Sequence, residues 1–533
     1  MNNPPTHPVY PISDLRDLLI KATDRYADRA ALKSKVNGSY NSLTYAELHR
    51  NALWLATAFG EFGLQSGDHI AVLSENCTEW ALTYLAAVST GLVIVPIDKD
   101  LKRREVSHIL NFSKPKLLVI SGPHLDWISN ERSELDYLER LIVIKKGDHE
   151  EELSFSKALE IGREALANGQ EYFKKVSLNP EDLAAIIFTS GTTGTSKGVM
   201  LTHGNIASNI MAISQYVLIK KGVLLSVLPL HHTYECTAGF LVALYQGCTI
   251  CHAESLRKIP DNLRETQATI MLGVPALFET FYRRIEKAIQ EKGVRRFWFA
   301  QRIAAATEMF LGVNIRRQIF KKVHQKLGGH LRLLISGGAA INPHTAKGFR
   351  DLGVNFIQGY GMTEASPIIS VNRLEHFKDA AVGVPLPGVE VEIINGEILV
   401  RASSVMPGYY LNEVDTREVL DDEWLRTGDM GYFDADGFLY INGRKKSVIV
   451  TPSGKNIYPE EVEAVLNESP YVLESLVWDG GENNPFKVTV QAIVVPDTDQ
   501  LDRDFGPTGY DDAKIRDLIG REVRKYCQFK PFY

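Results

Sequence analysis

Residues 188–198 read Phe-Thr-Ser-Gly-Thr-Thr-Gly-Thr-Ser-Lys-Gly. Glycines and hydroxyls around one lysine are the residue types that wrap a phosphate chain. Backbone N–H groups and hydroxyls donate, and Lys197 brings a cation. Thr189, Ser190, Gly191, Thr192, Thr193, Gly194 and Lys197 are therefore candidate phosphate contacts. The apolar run Ala184 to Phe188 before the loop predicts a buried strand. Ile206, Ile210, Ile213 and Val217 after it recur at helical spacing, so the loop is expected between a strand and a helix. It is not a Walker loop, which has four residues between its last two glycines and lysine directly after the second. Here two residues separate Gly191 from Gly194, and Lys197 comes three after Gly194. A flexible polar linker is the plain alternative, but linkers are rarely framed by a buried strand.

Three more segments carry chemical residue types. Leu333 to Ile335 predicts a strand, followed by Ser336-Gly337-Gly338-Ala339-Ala340, small residues that let a ring or phosphate approach the backbone. Gln358-Gly359-Tyr360-Gly361-Met362-Thr363-Glu364 joins a stacking aromatic, a hydroxyl and a carboxylate, a set suited to a base, a phosphate and Mg²⁺. Asp429 can accept from ribose hydroxyls, and Arg444 and Lys446 can neutralise phosphate.

Strands alternate with helical stretches along the chain, which predicts α/β architecture with largely parallel sheets. The clearest change of composition falls at Gly443-Arg444-Lys445-Lys446, after a turn-rich segment. Beyond it a short α+β pattern is expected: a strand from Val448 to Thr451, a helix from Pro459 to Leu466, and strands from Val472 to Val477 and Lys487 to Val495. The expected division is a large domain over 1–443 and a small one over 444–533.

A chain of 533 residues with 44% hydrophobic and 23% charged residues is ordinary for a globular protein of several domains. The net charge of −6 points away from nucleic acid. The first residues lack a charged stretch followed by an apolar core, and the apolar stretch from Trp80 to Ile97 is broken by Gly91 and Pro96. Five cysteines fit a reducing compartment, so a cytoplasmic location is expected. Cys248-Thr-Ile-Cys251-His252 has the spacing of a covalent haem site, but without an export signal two strand cysteines are the better reading.

These motifs together resemble the AMP-forming adenylating enzymes: acyl-CoA synthetases, peptide-synthetase adenylation domains and luciferases. The likeness runs from Leu43-Thr44-Tyr45-Ala46-Glu47-Leu48 to the last residues. The loop at 188–198 matches the family signature, with Thr195-Ser196 where small-Pro is usual. Gly359 to Glu364 matches Tyr-Gly-x-Thr-Glu, Ser336 to Ala340 the adenine-pocket strand end, and Gly454, Ile457, Pro459 and Glu461 the C-terminal Gly-x-x-Ile-x-Pro-x-Glu element. Residues 422–446 look like the fatty acyl-CoA synthetase signature, departing at Glu423 where that signature has Gly. Pro275-Ala276-Leu277-Phe278-Glu279 also looks like the long-chain branch.

The resemblance implies a fold and a chemistry. The large domain is expected to hold αβαβα-type sheets and a distorted β-barrel, with a small mobile α+β domain behind it. A fatty-acid carboxylate attacks the α-phosphate of ATP to give acyl-AMP and pyrophosphate, and the thiol of coenzyme A then takes the acyl group. Two anions must meet, so positive charge and Mg²⁺ must screen them. By this likeness Lys197 and the loop amides hold the β- and γ-phosphates, Thr189 and Glu364 reach Mg²⁺, and Thr363 reaches the α-phosphate. Gly338, Ala339, Gly359, Tyr360, Gly361 and Met362 form the adenine site, with Tyr360 stacking on the base. Asp429 binds the ribose, Arg444 assists with phosphate, and His232 lies by the acyl carboxylate and thiol path. Lys446 is the hinge about which the small domain turns between half-reactions, and Gly454 faces the thiol. An acyl carrier protein is the alternative acceptor, and a non-catalytic nucleotide- or acyl-binding relative is a third reading.

Two expectations concern this chain in particular. The family's lysine in a Thr-x-x-Gly-Lys-like segment has no counterpart after Val495, so a small domain ending before that lysine is expected, with nucleotide binding kept and adenylation impaired. The stretch 283–326 carries twelve Arg or Lys against three Glu, with Phe297, Trp298, Phe299, Phe310 and Phe320 interleaved. It is a candidate peripheral contact with the inner face of a membrane, or a solvated basic face over a helical core.

Overall fold

The computed structural model describes residues 7–144, 152–189, 196–450, 456–481, 490–506 and 509–529. Ser190, Gly191, Thr192, Thr193, Gly194 and Gly454 lie outside the described residues. Two compact units divide the chain, the first over 1–390 and 400–425 and the second over 391–399 and 426–533.

The first unit is built on two sheets. One has nine strands, and the six from Asn355–Gly361 through Leu333–Ser336, Ile270–Gly273, Val223–Ser226 and Thr249–His252 to Ala30–Val36 run parallel. Antiparallel strands close its edges: Ile368–Val371 and Val384–Pro385 on one side, Ser39–Thr44 on the other. The second sheet has eight strands, with Leu183–Thr189, Val93–Ile97, His69–Leu73, Leu117–Ile120, Arg140–Val143 and Leu153–Ser154 in parallel. Near-continuous apolar strands such as Leu-Leu-Val-Ile at 117–120 are fully buried, as sheets covered on both faces require.

The phosphate-loop segment departs from expectation. Leu183–Thr189 is followed by a second strand, Lys197–Thr202, and the two pair antiparallel with Thr189 opposite Lys197. The loop therefore tips a hairpin, and the helix His203–Tyr216 starts only after the second strand. Val199 and Leu201 are buried and carry β-propensity, a signal masked by the polar loop before them. Ile206, Ile210 and Ile213 do form the buried helix face.

The second unit holds the antiparallel strands Glu390–Ile394 and Glu397–Arg401 in part, and Trp424–Phe433 paired with Leu439–Arg444 as an open ladder. The expected boundary at 444 falls inside this unit, because Leu439–Arg444 travels with its ladder partner. The helix Pro459–Leu466 stands where expected, with proline in its first turn beside Glu460 and Glu461. Val472–Asp479 pairs antiparallel with Val490–Pro496, and the helix Asp512–Phe529 follows. Cys248 and Cys251 are free and buried beside and within the strand Thr249–His252, with no disulfide between them.

Candidate functional site

Parallel strands bring their C-terminal ends to one edge of a sheet, where α/β proteins place their ligands. Three strands of the nine-stranded sheet do this here. Val223–Ser226 leads to Pro229-Leu230-His231-His232, Leu333–Ser336 to Gly337-Gly338-Ala339, and Asn355–Gly361 to Thr363-Glu364. Ser336 stands in register with Gln358 on the adjacent strand. Ser336 Oγ is buried and lacks a hydrogen-bond partner among the described residues, so its donor is spare at the strand end. Gly338 has φ of +86°, a left-handed conformation that favours glycine, and Gly338 and Ala339 are exposed. A Cβ on Gly361 would strike the Pro367 carbonyl, and one on Gly359 would lie 2.9 Å from the Ser370 carbonyl oxygen. Tyr360, between these glycines, is half-buried and pairs with Ser370 across the edge ladder.

Thr363 and Glu364 occupy a short turn, Thr363–Ala365, after Met362. Thr363 Oγ1 lies 3.3 Å from Thr233 Oγ1, which joins this turn to the residue after His232. His231 and His232 have ring centroids 4.2 Å apart. Desolvation lowers the pKa of both, taking His231 to about 4, with the neighbouring His232 pushing the same way and Asp98 opposing. The His231 Nε2–Asp98 Oδ2 distance is 3.5 Å. Burial thus favours the neutral form of both rings.

Lys197 is drawn into this site from the other sheet. Its ammonium forms an ion pair with Asp415 at 2.7 Å and lies 5.1 Å from the centre of the Tyr409 ring. The Tyr409 hydroxyl donates to Glu364 Oε1 at 2.9 Å. Burial, and then the adjacent Glu364, raise the Tyr409 pKa well above the ordinary phenol value, so it stays a donor. Tyr409 is itself anchored, pairing with Val199 in a short antiparallel ladder. The structure therefore links Lys197 to Glu364 through Tyr409 and Asp415, which sequence reasoning missed, and sets Thr363 against Thr233, the chain neighbour of His232.

Two asparagines on the helix His203–Tyr216 brace that network. Asn205 donates to the Ser403 and Val405 carbonyls, at 2.8 and 2.9 Å. Asn209, one turn on and 1% exposed, donates to the Ile368 carbonyl at 2.8 Å and accepts from the Ile368 N–H at 3.2 Å. Asn205 also completes a capping box with Thr202 at the start of this helix.

In the second unit, Asp429 is buried and accepts from Arg444 Nε at 2.8 Å. The two residues assigned to ribose and phosphate thus pair with each other. Lys446 is exposed in the turn Lys445–Ser447.

A small apolar cavity of about 30 Å³ lies in the first unit, lined by Ile213, Tyr234, Ala238, Val242, Ile335 and Gly359 among others. Tyr234 and Ala238 come from a wide-turn π-helix, Tyr234–Leu241, a form frequent at functional sites. Among the described residues no cluster of three or more His, Cys, Asp or Glu could hold a metal. The Glu364 carboxylate is of the kind through which Mg²⁺ usually binds, together with substrate phosphates.

The family model for AMP-binding enzymes matches residues 19–410. A long-chain-fatty-acid–CoA ligase, FadD15 of Mycobacterium bovis, is 30% identical over 475 residues, covering 85% of this chain and 77% of that protein. A long-chain-fatty-acid–[acyl-carrier-protein] ligase, AEE15 of Arabidopsis thaliana, is 27% identical over 96% of this chain and 80% of its own. ATP-bound MatB from Rhodopseudomonas palustris superimposes with a TM-score of 0.73 at 26% identity, covering 96% of this chain and 93% of that one. The anthranilate CoA ligase AuaEII, solved with anthranoyl-AMP, shares the fold at a TM-score of 0.76 and 20% identity over 98% and 92% of the two chains. With the hairpin, the strand-end glycines and the Thr363-Glu364 turn in place, the chain belongs to the family of AMP-binding enzymes.

Proposed function

We propose that this protein activates a fatty-acid carboxylate with ATP, releasing pyrophosphate, and then passes the acyl group from acyl-AMP to the thiol of coenzyme A. One observation carries the reading. The apolar cavity is lined by Tyr234 and Gly359, chain neighbours of Thr233 and Tyr360, so an acyl slot adjoins the polar residues suited to a nucleotide. At about 30 Å³ it holds no more than a water or two, so in this reading an acyl chain would have to open it. The name of the FadD15 relative supports a long-chain substrate.

In this reading Lys197 holds the β- and γ-phosphates and steadies the leaving pyrophosphate. Thr363 contacts the α-phosphate, and Tyr360 lies against adenine over the backbone of Gly338, Ala339, Gly359, Gly361 and Met362. Neutral His232 orients the carboxylate and meets the incoming thiol. Asp429 takes the ribose hydroxyls with Arg444 beside it, and Lys446 serves as hinge. Thr189 and Glu364 would hold Mg²⁺, which supplies charge neutralisation for the meeting anions.

Fatty-acid-dependent ATP–pyrophosphate exchange, followed by thioester formation with coenzyme A, tests the reading. Absence of exchange with every chain length from short to long, together with no binding of ATP by calorimetry, would remove it. A second reading, transfer to an acyl carrier protein, is favoured by the AEE15 relative. Thioester formed on a carrier protein but not on coenzyme A would select it.

The region 283–326 divides by role. Phe297 packs on buried Phe320 in the core, ring centroids 5.3 Å apart, and Arg317 donates to the Leu331 and Gly329 carbonyls. Trp298, Phe299 and Phe310 instead point outward, at 60%, 67% and 80% exposure, near exposed Arg295 and Arg302. No described helix is long and apolar enough to cross a membrane. A protein that lies on an anionic lipid surface by this face fits both features.

A further inference from the structure

We infer that the segment 406–415 is a clasp that presets the phosphate lysine and the metal carboxylate before nucleotide binds, with Asp415 and Tyr409 as positioning residues. The inference rests on the ATP reading above.

Five contacts define the clasp. The Met406 N–H donates to the Glu364 carbonyl at 2.9 Å, and the Tyr410 N–H donates to the Gly198 carbonyl at 2.7 Å. Tyr409 holds the Glu364 carboxylate through its hydroxyl and covers the Lys197 ammonium with its ring. Asp415 holds that ammonium at 2.7 Å. One short segment thus grips a strand residue, Lys197, and a turn residue, Glu364, that are 167 positions apart in sequence. Asp415 is fixed in turn, since its carboxylate accepts from Asn412 Nδ2 at 2.9 Å and its N–H donates to Asn412 Oδ1.

The two grips act in opposite senses. Asp415 offers Lys197 the same charge-assisted partner that a phosphate oxygen offers. Phosphates must therefore displace Asp415 or share the lysine with it, so the ion pair opposes triphosphate binding while keeping the side chain extended toward the site. Tyr409 does not compete with a metal, because it occupies only one of the two Glu364 oxygens. It orients the other toward the site. AMP lacks the β- and γ-phosphates, so its binding bypasses the Asp415–Lys197 pair.

Isothermal titration of ATP and AMP without metal, on wild type and Asp415→Asn, tests the first grip. ATP affinity is expected to rise roughly threefold to tenfold, the scale of a half-buried ion pair, with AMP unchanged and Asp415→Glu restoring the wild-type value. Equal shifts for ATP and AMP, no shift, or weaker ATP binding would reduce Asp415 to a structural residue and overturn its role. For the second grip, Mn²⁺ uptake in the presence of ATP is followed by electron paramagnetic resonance on Tyr409→Phe. The Mn²⁺ midpoint is expected to rise at least threefold while metal-free ATP affinity stays put; an unmoved midpoint overturns the role of Tyr409. Wild-type protein that binds neither nucleotide would overturn the ATP reading and the clasp together, whereas normal wild-type binding with silent variants overturns the clasp alone.

Discussion

Tyr409 donates to Glu364 across 45 residues of chain, and the same phenol ring lies under the Lys197 ammonium. The carboxylate proposed for Mg²⁺ and the lysine proposed for the phosphates are thereby ordered by one side chain. Glu364→Gln keeps an oxygen for Tyr409 but loses the charge. Fatty-acid-dependent pyrophosphate exchange should fall about 10²–10³-fold. The melting temperature should stay within a few degrees, which calorimetry checks.

Asn209 ties the helix His203–Tyr216 to the strand that follows the Thr363-Glu364 turn. Asn209→Ala strands a buried carbonyl and a buried N–H at Ile368. The cost should be about 1–3 kcal/mol in urea unfolding. Exchange activity should drop as well, because the turn loses its brace; a variant with wild-type stability would refute the assignment.

Acid should destabilise the first unit through its buried histidines. Burial takes His203, His231 and His252 to about 4 from the ordinary 6.5. Between those values the unfolded chain binds protons that the native chain refuses, so stability is full above pH 6.5 and falls as pH drops toward 4. Each histidine contributes a slope of up to about 1.4 kcal/mol per pH unit. Urea midpoints measured from pH 7 to pH 4.5 should decline less steeply in His252→Gln than in wild type.

Glu235 has the opposite sign. It is 1% exposed, and burial raises it from 4.5 to about 8, with the Ser226 hydroxyl pulling down. The native state keeps a proton that the unfolded state loses, so this group's stabilisation is present below pH 4.5 and is lost as pH rises to 8. Glu235→Gln should therefore gain stability over wild type at pH 8 relative to pH 5. Parallel urea curves for the two proteins at both pH values would contradict this.

Vesicle co-sedimentation checks the outward aromatic face. Binding to anionic phosphatidylglycerol vesicles at low salt should drop at least tenfold when Trp298, Phe299 and Phe310 are changed to serine, and should fade as salt screens the basic residues. Equal binding by the triple variant would rule the face out.

What was legible in the sequence follows how local each signal is. The helix Pro459–Leu466 was expected at its observed ends, because proline and two acidic residues mark its first turn. Thr363, Glu364, Lys197 and His232 could be singled out because each sits in a contiguous motif, and the fold sets Tyr409 against both Lys197 and Glu364. Tyr409, Asp415 and Asn209 were not readable, since nothing in their neighbours in sequence announces a partner 45, 218 or 159 residues away. The hairpin was mistaken for a strand-to-helix turn because Lys197–Thr202 is short and half polar at its start. The expected boundary at 444 and the compact units differ for a related reason: a change in composition marks turns, while ladder pairing groups Leu439–Arg444 with Trp424–Phe433.

Because Thr189 and Lys197 face each other across two hydrogen-bonded strands, the roots of the phosphate loop are spaced by the sheet. The seven residues between them can change in number or kind without moving the lysine. Doubling a closed loop costs only about 0.6 kcal/mol in chain entropy. The hairpin thus separates grip from anchorage, and leaves this stretch open to drift, insertion and redesign at small expense to the rest of the molecule.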